Sequence, residues 1–237
     1  MAHPHIITME SGTSMATIPL KISYKSTPNI AYKKLEDFSA LDACILTLNI
    51  LNLLNKKIDK DTYINSSLIN HIDSPLYFPS SSDIELYIRG SKMNDINPIE
   101  DKIRNVCKFV SNFMDMHAES FIFEMPYDEL ITNTTLSRIF SHNLKEAGII
   151  HISPANKNFS SLSIGSISKI KPCIHPYVSI TKDNSINYLS NEFAKATRSN
   201  FAHDVVLKTC HALALTGLDL IEKQNLIIEM NSSFDPQ

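Results

Sequence analysis

The chain has 237 residues, 43% of them apolar and 20% charged, with a formal net charge of −3. That length and balance exclude a disordered chain and provide apolar surface for one large core or two small ones. Its five glycines are too scattered for a phosphate-cradling loop: neither G-x-G-x-x-G nor G-x-x-x-x-G-K-[ST] occurs, which argues against nucleotide-dependent chemistry.

From the N-terminus, residues 1–38 read as an extended lead-in. Ile18, Leu20, Ile22 and Tyr24 alternate with Lys21, Ser23 and Lys25, the period of a strand. Ser39 caps a leucine-rich, buried helix to about Lys57, and Ile84–Ile88 forms a strand within an irregular stretch over 58–97. Asn97, Pro98 and Glu100 open a second helix with an apolar stripe of Ile99, Ile103, Val106, Val110 and Phe113. Tyr127–Ile131 makes a turn or two of helix. Thr134–Ala147 is amphipathic and stopped by Gly148. Strands follow at Ile149–Ile152 and Leu162–Ile170, then a pair at Ile174–Ile180 and Ser185–Leu189 around Asp183-Asn184. A long helix over Asn191–Lys223 carries an Ala202, Val206, Cys210, Leu213 stripe, which dimerises the chain or caps its core, with a bend at Gly217. The fold class expected is α+β: a central winged-helix-like module with an acidic α+β N-terminal part and a long C-terminal helix, divided as 1–95, 96–182 and 183–237.

Charge is uneven. Residues 1–130 hold 12 Lys+Arg against 17 Asp+Glu, residues 131–182 six against one, and residues 183–237 four against seven. The basic island between acidic flanks suggests a local polyanion contact. Within it, Leu136-Ser137-Arg138-Ile139-Phe140 and Leu144-Lys145-Glu146-Ala147-Gly148-Ile149-Ile150 resemble the recognition helix of winged helix-turn-helix regulators, over residues 126–171. The resemblance implies that Thr135, Arg138, Ser141 and His142 face bases in double-stranded DNA while Lys145, Lys157 and Asn158 meet its backbone. The function expected is therefore that of a non-catalytic, sequence-specific DNA-binding protein, a regulator of transcription or of plasmid or phage replication. The rival is an adaptor or secreted bacterial effector that binds a protein partner through the acidic N-terminal surface.

Two segments resemble nucleophile motifs. Gly12-Thr13-Ser14-Met15-Ala16-Thr17 matches the serine motif of subtilisin-type proteases, but only eleven residues precede it, leaving no room for the Asp and His those enzymes need upstream. Cys44, near the start of a helix, resembles the nucleophile of papain-like thiol hydrolases, with His175 as base and Asp183 as orienter; this is the second alternative. Cys173, His175, His203, Cys210 and His211 lack the doubled close spacing of a structural zinc site, so no metal and no cofactor is expected. The four cysteines are widely spaced, the N-terminus has no secretory pattern, and the apolar run Leu41–Leu54 is broken by Asp42, Asn49 and Asn52. Together these lead to a cytoplasmic, non-membrane protein, and the abundance of Ile, Asn, Ser and Lys to a bacterial, mobile-element or viral source.

Overall fold

A computed structural model describes residues 1–27, 29–30, 37–70, 74–183 and 185–234, with the side chains of residues 29, 70, 158 and 159 outside the description. From the N-terminus, β1 (His3–His5) and β2 (Thr13–Lys25) are followed by β3 (Asn29–Ile30), α1 (Ala40–Asn55), β4 (Tyr63–Asn70), β5 (Tyr77–Phe78), β6 (Ser81–Gly90), α2 (Met93–Phe113) and β7 (His117–Ile122). Then come α3 (Thr134–Glu146), β8 (Lys157–Ser161), α4 (Ile164–Ser168), β9 (Tyr177–Ser179), α5 (Asn191–Ala196), α6 (Asn200–Glu222) and α7 (Gln224–Ser232). The chain forms two units, Met15–Glu129 and the pair of segments Met1–Ser14 with Leu130–Gln237.

In the Met15–Glu129 unit the period-two pattern read from Ile18 builds β2, which sits inside an antiparallel sheet ordered β4-β6-β2-β7. Ile18, Leu20 and Ile22 stand opposite Ile88, Leu86 and Ile84 of β6. These residues bury against Ala43, Cys44 and Leu51 of α1 and Ile96, Ile103 and Val110 of α2. The Tyr24 hydroxyl reaches the core and is satisfied there by Thr47 Oγ1 at 2.7 Å, since an unpaired buried hydroxyl is costly. On the opposite face Lys21 bridges Asp83 at 2.9 Å and Glu85 at 3.2 Å. Ser39 caps α1 with a full capping box to Asp42. Helix α2 begins at Met93, a turn before Asn97, because the Glu129 carboxylate accepts the Met93 N–H at 3.0 Å. A tertiary partner thus displaces the local cap.

The other unit holds a parallel pair, β1 with β9, in which His3, Pro4 and His5 stand opposite Tyr177, Val178 and Ser179. Helix α3 packs on α6: Phe140 and Leu144 bury with Ala202, Val205, Ala212, Ile174 and Val178. Gly148, at φ +91°, terminates α3 as expected, and the Ile149 N–H donates to Leu144 O at 2.9 Å.

The winged-helix expectation fails here. No wing follows α3: residues 162–170 contain α4 instead of a strand, and residues 174–180 pair with β1 rather than with 185–189. Asn184, at the centre of the expected turn, lies outside the described residues. Tyr127–Ile131 is not helical. The long C-terminal helix is split: Ser199 starts α6 by accepting the Ala202 N–H at 3.1 Å, and α6 runs straight through Gly217. Among the described residues no helix is long and apolar enough to cross a membrane.

Candidate active site

Helix α3 does not present a free reading face. Thr135 and Ser141 are buried, and the Arg138 guanidinium donates to both Glu229 oxygens of α7, at 2.7 and 2.9 Å. Asn143 is buried and donates to Thr216 Oγ1 at 3.2 Å and Asp219 Oδ2 at 2.9 Å. Arg138, Ser141, His142 and Lys145 do converge, on the wall of one cavity of about 370 Å³ shared with Glu10, Ser11 and Thr132. Thr135 is not part of that wall. Lys157 is exposed on β8 and does not line it, and the Asn158 side chain lies outside the described residues.

The thiol arrangement is not assembled either. Cys44 is fully buried on α1. Desolvation, reinforced by the nearby Asp83 carboxylate, pushes its thiol up to about 12, the opposite of what a nucleophilic thiolate needs. His175 and Asp183 belong to the other unit. Asp183 is exposed, and its carboxyl is held below the usual range by the Ser185 hydroxyl and N–H that donate to it. Ser14 is a structural acceptor for the Leu130 N–H at 3.1 Å. Titrating the native protein with iodoacetamide is therefore expected to modify exposed Cys210 first, with buried Cys44 and Cys107 protected until denaturant is added. Mass spectrometry that found Cys44 labelled first would contradict this burial.

What the fold does assemble is a cluster of imidazoles and phenols on the β1–β9 pair. His3 and His5 alternate along β1 and so share one side of it. The His3 and His175 rings lie 5.6 Å apart, His175 and Tyr177 5.0 Å, His5 and Tyr177 5.2 Å, and His5 and Tyr188 4.9 Å between centroids. His175 is 1% exposed, and its Nδ1 has no hydrogen-bond partner among the described residues. Burial, with the neighbouring His3, lowers its pKa to about 4. His5 is lowered in the same way, by burial first and then by His3. His175 is thus neutral at pH 7 but a weak base there, so the half-buried His3 beside it is the better placed of the two to accept a proton. The cluster is tied to the polar cavity through Ser11: the His175 N–H donates to Ser11 Oγ at 2.8 Å, and that oxygen lies 2.6 Å from Thr132 Oγ1. Among the described residues, no group of three or more His, Cys, Asp or Glu stands close enough to hold a metal ion.

Only His175 of this cluster was singled out from the sequence. The available signal was the pair His3-Pro4-His5 and His175-Pro176-Tyr177, two extended segments whose parallel pairing no local pattern reveals.

Comparison with known proteins found no matching family model. The chain is 28% identical over 243 residues to the Xaa-Arg dipeptidase of Mus musculus, covering 99% of this chain and 55% of that protein. To the Xaa-Arg dipeptidase of Homo sapiens it is 26% identical over 239 residues, covering 99% and 54%. The chain therefore spans about half the length of the curated relatives it matches. It shares its fold with a hydantoinase/carbamoylase-family amidase from Burkholderia phymatum, with a TM-score of 0.59 and 12% identity over 92% of this chain and 55% of that one. These likenesses overturn the regulator reading, with its DNA partner, its transcriptional role and its lack of catalysis. They give no support to the adaptor reading, with its partner on the acidic N-terminal surface, or to the papain-like reading at Cys44. Both curated relatives that the chain resembles are dipeptidases.

Proposed function

We propose that this chain takes part in hydrolysing the amide bond of a dipeptide-sized substrate ending in arginine, and that the histidine cluster on β1 and β9 is where it acts. The observation that carries this reading is the similarity to Xaa-Arg dipeptidases along 99% of the chain. The cluster suits the chemistry. Water adds to the carbonyl carbon, an imidazole takes its proton, and the C–N bond breaks as the amine leaves with a proton. His3 is the residue to test, since it is only half-buried and borders His175. The four free cysteines support placing the protein in a reducing compartment.

Incubation with a panel of Xaa-Arg dipeptides, with and without added divalent cations, should release free arginine measurable by chromatography. His3→Ala should lower kcat/KM by at least about tenfold with an unchanged thermal transition. No arginine release from any member of the panel would overturn the reading.

A further inference from the structure

In the Met15–Glu129 unit a groove of about 820 Å³ runs between α1 and α2. Its floor is apolar: Ile50, Leu53 and Leu54 from α1, Val106 and Phe109 from α2. Leu53 is 63% and Phe109 58% exposed, more apolar surface than a solvated helix pair ordinarily leaves open in one place. The groove also holds Lys56, Lys57 and Lys102, and none of the three forms an ion pair among the described residues.

Topology places those charges at one end. Strand β6 is antiparallel to both β2 and β4, so β2 and β4 are parallel, and α1 must run back across the sheet between them. By the same reasoning β6 and β7 are parallel and α2 runs back between them. Because β2 and β6 are antiparallel, so are α1 and α2. The end of α1, with Lys56 and Lys57, then lies beside Lys102, while Ile50 lies towards Phe109. Positions 102 and 109 are seven residues apart on one helix face, about 10 Å of rise. The groove is therefore cationic at one end and apolar for the rest of its length.

We propose that this groove binds a free long-chain carboxylate, with its head among Lys56, Lys57 and Lys102 and its alkyl chain along Leu53, Leu54, Val106 and Phe109. The volume lies within the range of about 300–1,000 Å³ usual for small-molecule sites. An acidic amphipathic helix would present charge along its whole length, which this one-ended pattern does not match. A second copy set groove to groove would bring the lysines together if parallel, or set them without counter-charges against the partner's apolar end if antiparallel. The site is separate from the histidine cluster and does not rest on the proposed hydrolysis.

The test is calorimetric titration of the intact protein with dodecanoate below its micellar concentration, with dodecanol and dodecyltrimethylammonium as controls. Dodecanoate should bind saturably at one site, at least fivefold more tightly than either control, and 0.5 M salt should weaken it. Lys57→Glu combined with Lys102→Glu should weaken binding at least tenfold, with melting temperature and circular dichroism unchanged. Phe109→Ala, at an exposed position, should weaken dodecanoate and dodecanol alike. No saturable binding by 1 mM overturns the proposal, as does equal affinity for the cationic amphiphile. It is also overturned by binding only to phosphatidylglycerol vesicles, or by a dimer in light scattering that Phe109→Asp dissociates while dodecanoate fails to bind.

Discussion

Phe140→Ala is expected to destabilise its unit by about 3–5 kcal/mol, the cost of deleting a fully buried aromatic ring and leaving part of its volume empty. The ring is 1% exposed and packs with Leu144, Ile174, Val178, Ala202, Val205 and Ala212. It therefore joins α3 and α6 to β9 and to the segment before it, which carries His175. For a chain of this size each kcal/mol moves a thermal midpoint by roughly 2–4 °C, so the shift should be plain in calorimetry. Arg138→Ala is the contrast. Its ion pair with Glu229 is exposed on both sides, 64% and 49%, and such pairs contribute about 0–1 kcal/mol. If Arg138→Ala proved the more damaging substitution, α3 would be held by its polar face and the packing described above would be wrong.

Acid should weaken the protein through His175. Its pKa is lowered from 6.5 to about 4 in the fold, so between those values the unfolded chain binds a proton that the native state does not. Stability therefore rises with pH across this window: it is flat above about 6.5 and lost progressively as pH falls towards 4. At about 1.4 kcal/mol per pH unit, the loss reaches at most about 3 kcal/mol by pH 4, and His5, lowered in the same direction, adds to it. His175→Phe should flatten the profile between pH 6.5 and 4, because the ring is replaced by another aromatic ring and its Nδ1 has no hydrogen-bond partner among the described residues. The backbone hydrogen bond to Ser11 survives the change. Denaturant midpoints measured at half-unit pH steps read the difference. A variant with the same slope as the wild type would remove His175 as the titrating group.

The misreading of α3 has a specific cause. Its apolar stripe, its basic residues and its glycine stop were all correctly visible, and a recognition helix and a packed surface helix share those features. The two differ in what covers the polar face. Here α7 brings Glu229 to Arg138, and α6 brings Thr216 and Asp219 to Asn143, contacts 73 to 91 residues apart in sequence. The stripe on α6 was offset for a related reason. Ala202 is buried as expected, but Val206 and Leu213 are exposed, and Val205, Thr209, Ala212 and Thr216 are buried instead. The two threonines can be buried because their hydroxyls donate to the carbonyls of Val205 and Ala212, each at 2.7 Å. A buried threonine that satisfies itself within its own helix looks polar in a sequence and behaves as apolar in a core.

Local patterns were sufficient for β2, α1 and its Ser39 cap, the body of α2, and the Gly148 stop after α3. In each, alternation, helical spacing or a cap acts over a few residues and reports directly on local backbone preference. Those patterns carry no information on which segments pair, and the candidate site is made by such a pairing. His3 and His5 meet His175 and Tyr177 only because β1 lies parallel to β9, more than 170 residues away. Burial by the rest of the unit then lowers His175 towards 4. A histidine's burial and neighbours belong to the folded chain, since both depend on long-range packing of surfaces that are individually unremarked in sequence.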